Sequence, residues 1–256
     1  MNKHVHFKYL PMSLRVLYTM VLLVFGAGYL FAMIHVYESN AGKDGDPMMS
    51  EKDLMITYGG NPEGTKLETA LRGPMQDMLP AEKRKVIFDW LHAGAKQEEF
   101  DAKINPIVQE HCIGCHVPEA NPHLTDLRTY EGVAKVTAKD EGMNLPTLVR
   151  VSHIHLFGIA FIFFIVGQIY SHAWVRPTWL KCVVIAAPFA VVITDVGSWY
   201  LTKIWAQFAW VVIGSGAIMG LSFATMWLTS MYQLWFYKLP PELAEQGGEL
   251  PVLKRG

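Results

Sequence analysis

No Asp, Glu, Lys or Arg interrupts the stretch from Val16 to Val36. A helix rising 1.5 Å per residue needs roughly 20 apolar residues to cross about 30 Å of hydrocarbon. The run therefore reads as a membrane span. It is too long for a signal-peptide core and no small-x-small cleavage site follows it, so a retained anchor is expected. Three similar runs follow at 152–174, 182–202 and 207–236. Pro188 is expected to bend the third. The fourth exceeds what hydrocarbon requires and should tilt or protrude. The turn around Lys203 is short, which makes spans three and four an antiparallel hairpin.

Basic residues set the expected direction, because they concentrate on the cytoplasmic side. Lys3, Lys8 and Arg15 precede span one, Arg176 and Lys181 fill the loop between spans two and three, and Lys238, Lys254 and Arg255 follow span four. Four crossings put these three segments on one side. Residues 1–15 and 237–256 are then cytoplasmic and 37–151 face outward. In a bacterium this is a multi-pass inner-membrane protein with a periplasmic domain. A net charge of −1 gives no reason to expect nucleic-acid binding.

The outer block, 37–151, has more acidic than basic residues. Its start, through Gly42, Gly45 and Pro47, reads as linker. After Pro80, the stretch Ala81 to His92 reads as a helix with Val86, Ile87, Trp90 and Leu91 as its apolar stripe, stopped by Gly94. A second helix is expected from Phe100 into a cysteine pair, and a weaker one over Thr129 to Thr137. No strand alternation is convincing. The fold class expected is mainly α: a four-helix transmembrane bundle plus a small all-α domain. A domain this small benefits from a staple, and a covalent cofactor would serve.

There are three cysteines. The odd number argues against a disulfide framework. Cys182 lies in an apolar run and reads as inert packing. Cys112-Ile113-Gly114-Cys115-His116 is the C-x-x-C-H pattern of covalent haem attachment. Two thiols three residues apart reach the two vinyl groups on one porphyrin edge, and the next residue brings an imidazole beneath the iron. A zinc knuckle would want two further ligands near by. A thioredoxin-like pair would want an α/β context. Neither context is present.

The iron then needs a sixth ligand or an open site. Met75, Met78 and Met143 are the thioether candidates. His92, His111 and His123 read as surface residues. The segment Gly73-Pro74-Met75-Gln76-Asp77-Met78-Leu79-Pro80, with a helix ending Trp90-Leu91-His92-Ala93-Gly94-Ala95, resembles the distal half of single-haem class I cytochromes c. Ile104-Asn105-Pro106-Ile107-Val108-Gln109-Glu110-His111, leading into Cys112, resembles the helix that opens such domains. Here the distal half comes first. The resemblance covers roughly 57–138 and implies a cytochrome c-like domain with its halves permuted. It implies one covalent haem c with Met75 or Met78 as distal ligand, and Met143 as the alternative.

Ionisable groups inside a membrane are functional candidates because burial is costly. His35 closes span one, His153 and His155 open span two, and Asp195 lies in span three. Residues two apart on a helix point about 200° apart, so only one of His153 and His155 faces the bundle. Three readings stay open: a haem b between His35 and one of that pair, a quinone site using a histidine and Asp195, or ordinary interfacial hydrogen bonding. His172, beside Arg176, reads as interfacial. Lys203 reads as touching a haem propionate or snorkelling. Trp174, Trp179, Trp199, Trp205 and Trp210 suit an aromatic belt, and Gly214, Gly216 and Gly220 suit close helix contact.

The function expected is electron transfer on the periplasmic side. Four spans exceed anchoring, which suggests docking with other membrane subunits in a respiratory or photosynthetic complex. The acidic outer face suggests a basic soluble redox carrier. Alternatives are a quinol-to-cytochrome oxidoreductase, a haem-based gas sensor and a structural subunit stapled by its haem.

Overall fold

The computed structural model describes residues 5–250. Lys3, Lys254 and Arg255, used above for direction, lie outside the described residues. The elements in chain order are α1 (Met12–Asn40), α2 (Glu51–Gly59), α3 (Lys66–Arg72), α4 (Ala81–His92), α5 (Asn105–His111), α6 (Tyr130–Val136), α7 (Leu145–Tyr170), α8 (Thr178–Thr202), α9 (Ala209–Trp235) and α10 (Pro241–Glu245). Among the described residues there is no strand, only two isolated bridges, Val5 with Glu249 and Thr65 with Lys139. The fold is all-α. Four helices, α1, α7, α8 and α9 with its leading turn, are long and apolar enough to cross a bilayer, and the chain is a membrane protein.

The chain divides into two compact units. A bundle unit holds the chain up to Ile34, Pro146–Trp199 and the chain from Trp210 onward. A polar unit holds His35–Leu145 and Tyr200–Ala209.

In the bundle unit, Leu22, Phe163, Val166, Tyr170, Phe223 and Met226 form a buried core, with Val184, Ile185 and Phe189 of α8 packed on it. Leu22 is the one buried side chain of α1. The contact of α1 with α9 is specified by a glycine. A Cβ on Gly26 would lie 2.9 Å from the Trp227 ring nitrogen, which donates to the Leu22 carbonyl at 2.7 Å. Tyr29 stacks on Phe223 with centroids 4.4 Å apart. Of the three glycines singled out in span four, only Gly220 meets a neighbour, the Tyr29 hydroxyl; Gly214 and Gly216 face open space. Helix α8 runs unbroken through Pro188. Cys182 is exposed on the outside of its helix, not packed in a core.

The basic ends of the spans gather at one end of this unit. Arg15 lies 4.4 Å over the Trp235 ring and donates to the Leu234 carbonyl. Lys181 is in the first turn of α8, not in the loop before it, and reaches back to the carbonyls of Ser171 and Ala173. Its ammonium thereby meets oxygens that the end of α7 leaves without helical partners. His172, just past the end of α7, is buried: its Nδ1 donates to the Val5 carbonyl at 2.8 Å, and its ring lies against Phe7 and Tyr18. His6 is also fully buried. Its Nδ1 accepts from the Lys8 amide, so its Nε2–H donates to Gln233 Oε1 at 3.0 Å. Burial pushes the His6 pKa below its usual value, with the neighbouring Lys8, Lys181 and His172 acting in the same direction.

The polar unit has its own core of Leu71, Leu79, Ile87, Trp90, Leu91, Phe100, Ile104, Ile107, Val108, Leu127 and Val133. The expected helix Ala81 to His92 forms with those bounds. Its end is locked from two sides: the Trp90 ring nitrogen donates to the Lys96 carbonyl at 2.9 Å and the Tyr130 hydroxyl to the Ala95 carbonyl at 3.1 Å. The expected second helix forms from Phe100 to His111, with a first turn that is wider than α. Phe100–Ile104 forms a π-turn before α5, which places Pro106 near the start of α5, where a missing N–H costs little.

The stretch after α1 is built, not slack. Asp44 Oδ1 accepts from the Asp46 amide and Asp46 Oδ1 from the Met48 amide, each at 2.9 Å, and the buried Asp53 carboxylate accepts from the amides of Asp44 and Ser50. Short acidic side chains that bond the backbone two residues on make turns, a role that composition alone disguises as linker. Ser50 and Asp53 complete a capping box at α2.

Candidate haem-attachment site

The C-x-x-C-H segment is the frayed last turn of α5. Cys112 caps that helix through its amide to Val108. The amides of Cys115 and His116 both turn back to the Cys112 carbonyl, at 3.2 and 2.9 Å. One turn of backbone therefore carries both thiols and the imidazole. Cys112 is half-buried against the polar unit's core and Cys115 is exposed; both are free thiols. Burial pushes the Cys112 thiol pKa up. That is the opposite of the depressed thiol a redox-active C-x-x-C requires. Among the described residues no three His, Cys, Asp or Glu side chains converge as a metal cage, which leaves a zinc knuckle without its extra ligands.

The imidazole of His116 is oriented by a partner that the sequence did not advertise. Its Nδ1 lies 3.3 Å from the Thr125 carbonyl. A carbonyl only accepts, so the proton sits on Nδ1 and Nε2 keeps its lone pair. A metal-ligating histidine is held by this kind of second bond, which fixes both tautomer and ring orientation. The Leu127 amide also donates to the His116 carbonyl at 3.1 Å. The stretch bearing Thr125 and Leu127 is pinned in turn by α6. A Cβ on Gly132 would fall 1.8 Å from the Asp126 carbonyl oxygen, so only glycine allows the backbone to pass this close. Arg128 brackets the same loop with ion pairs to Asp126 and Glu119. It holds the Asp126 carboxyl below its usual range.

The thioether candidates differ in setting. Met75 and Met78 lie on the short turn before α4, 37% and 68% exposed, so neither is core packing. That turn is fixed by Arg84, which donates to the carbonyls of Gln76 and Leu79. Met143 is half-buried and its backbone is held at both ends, the amide by the Thr57 carbonyl at 2.9 Å and the carbonyl by Lys203 at 2.8 Å. Lys203 also donates to the carbonyls of Tyr58 and Glu141. Its three protons are used on backbone oxygens, so it neither snorkels nor awaits a propionate. His92 and His123 are exposed and His111 is half-exposed, with His92 3.4 Å from Glu68 and His111 3.6 Å from Glu110.

Of the polar residues in the spans, His35 is exposed and lies beside Ser39. The pair on α7 splits as expected. His155 turns its ring to Trp199 of α8, edge-on at 5.1 Å, whereas His153 packs on Phe157 of its own helix at 5.1 Å. Asp195 is buried with the Trp199 indole, one turn further on, against its carboxyl. Trp199 therefore belongs to the interior and not to an aromatic belt, whereas Trp179, Trp205 and Trp210 are exposed.

Residues 129–241 match a family model, Aq_1264_TM, described as a transmembrane helical domain. That segment takes in α7, α8 and α9. No curated protein matches the chain, and no solved structure does.

Proposed function

We propose that the chain is a membrane-bound c-type cytochrome that passes single electrons on the outer side of the membrane. The observation that carries this reading is the hydrogen bond from His116 Nδ1 to the Thr125 carbonyl, beside two free thiols in the same turn. The donor set fits a haem: Cys112 and Cys115 would hold it by thioether bonds and His116 Nε2 would ligate its iron. Such a group supplies reversible one-electron chemistry. The chain's own residues bind and orient it. Cys112 and Ile113 join the apolar core, so one edge of the group would be kept from water. The exposed thioethers of Met75 and Met78 are the preferred candidates for the second axial position, with Met143 next.

The gathering of Arg15, Arg176 and Lys181 at one end of the bundle unit supports a cytoplasmic position for that end. By the count of crossings, the C-x-x-C-H turn is then periplasmic, the side on which covalent haem is attached. The unused length of the four spans suits other membrane subunits, and the acidic outer block a basic soluble carrier.

The test is haem staining of the full-length protein on a denaturing gel, with the mass of the intact chain. Wild type should carry the mass of one haem, and Cys112→Ala with Cys115→Ala should carry none. A wild-type chain of bare polypeptide mass, from cells that attach haem to another cytochrome, ends the reading.

A further inference from the structure

We infer that the Arg15 guanidinium, fixed between α1 and α9, is the seat of an anionic phospholipid, whose phosphate it meets at the rim of the bundle. The inference goes beyond the haem reading and does not rest on it, because Arg15, Thr19, Leu234 and Trp235 all lie in the bundle unit.

Arg15 stands in the first turn of α1 and Trp235 is the last residue of α9. The guanidinium lies 4.4 Å over the Trp235 ring, and Nη2 donates to the Leu234 carbonyl. The indole nitrogen is held in turn by Thr19 Oγ1 at 2.9 Å. A guanidinium carries five N–H donors in a planar fork. Among the described residues this one has a single hydrogen-bond partner: Nε is enclosed without one, and Nη1 is neither bonded nor enclosed. The charge is fixed in place, and Nη1 is left for a ligand.

The chain itself offers no counter-charge here. Residues 1–37 and 196–241 contain no Asp or Glu. Glu38 is near the far end of α1, about 35 Å away by helix rise. Glu242, the first acid after α9, faces Arg176 at 3.9 Å. An uncompensated cation at the edge of hydrocarbon calls for an anion at the same depth, and the phosphate of a bilayer lipid is there by construction.

The surroundings favour a lipid over a soluble anion. Met12, Val16, Trp235 and Phe236 are all exposed, and α1 buries only Leu22. Beyond the guanidinium therefore runs an apolar helix surface for an acyl chain, from which a free phosphate gains nothing. Arginine suits phosphate by its planar fork, and basic pockets between spans take anionic headgroups. A zwitterionic lipid brings its own cation and leaves the charge of Arg15 unbalanced.

The experiment is native mass spectrometry of the full-length protein released from nanodiscs with equal amounts of phosphatidylglycerol and phosphatidylcholine of matched chains. Wild type is expected to keep one phosphatidylglycerol in preference to phosphatidylcholine, and excess inorganic phosphate should not displace it. Arg15→Gln keeps a donor for the Leu234 carbonyl but no charge, and should lower that preference about tenfold, the loss of one charge-assisted hydrogen bond. Arg176 already faces Glu242, and Arg176→Gln should retain the preference. Should Arg15→Gln fail to insert, Trp235→Leu, which frees the guanidinium from its plane, should lower it in the same direction. Equal retention of the two lipids by wild type, displacement by free phosphate, or an equal loss in Arg176→Gln overturns the site. So does an Arg15→Gln chain that keeps its lipid and loses a co-purifying membrane protein instead. Bound lipid is counted whether or not the chain carries haem, so this result and the haem assay succeed or fail separately.

Discussion

Gly60 and Gly142 occupy the space that each other's side chain would need. A Cβ on Gly60 would lie 2.5 Å from the Gly142 amide nitrogen, and one on Gly142 would lie 2.6 Å from that of Gly60. Both have positive φ, 89° and 68°. The end of α2 is thereby laid on the loop that carries Met143. Gly60→Ala or Gly142→Ala must relieve both a backbone clash and a left-handed φ. Each should destabilise the polar unit by about 2–3 kcal/mol, read as a fall in the thermal midpoint. Gly114→Ala, which meets nothing within 4 Å, should leave it unchanged.

Gly132 holds Thr125 in place for His116. Gly132→Ala pushes the Asp126 carbonyl away and carries Thr125 with it. On the proposed haem reading, the expected result is a chain that keeps covalent haem at Cys112 and Cys115 but shows altered axial ligation. The visible spectrum and the reduction potential read this, and a merely structural role would move neither.

The methionines are separable by potential. Thioether ligation raises the potential of a histidine-ligated haem. Met75→Ala is expected to lower the midpoint and to let carbon monoxide bind the reduced iron, while Met78→Ala does neither. Unchanged spectra in both variants would move the assignment to Met143 or a histidine.

Lys203 ties its own turn to the end of α2 and to the 140–143 loop through three carbonyls. Lys203→Met removes its charge-assisted bonds to Tyr58, Glu141 and Met143. A loss of about 2 kcal/mol is expected from bonds of this class, with faster hydrogen exchange at the 140–143 loop as the measurement.

His6 makes the N-terminal segment sensitive to acid. Its folded pKa lies below the unfolded value of 6.5, so the folded state holds it neutral. Above pH 6.5 its contribution to anchoring is fully present. As the pH falls below 6.5 and through the lower folded value, the unfolded state binds the proton more readily and the contribution is lost. Protonation would also set an Nδ1–H against the Lys8 amide that now donates to it. Protease cutting near Tyr9 should rise between pH 7.5 and 5.5 in wild type, and His6→Gln should abolish that dependence.

The four spans, the helix Ala81–His92 and the C-x-x-C-H turn were legible from the amino-acid order, because each is a local matter. A span is a run of apolar residues long enough for hydrocarbon, a helix is a stripe with a stop, and two thiols with an imidazole this close in sequence fall within one turn of backbone. What tertiary structure decided was partnership at a distance. The carbonyl of Thr125, nine residues from His116, has no sequence signature, since every residue carries one. Gly26 against Trp227 and Gly132 against Asp126 are close approaches, and among many glycines nothing in the order marks those that a neighbour crowds. His155 was told apart from His153 only by Trp199, because a helix fixes that two side chains diverge but its neighbour fixes which of them meets a ring on another helix.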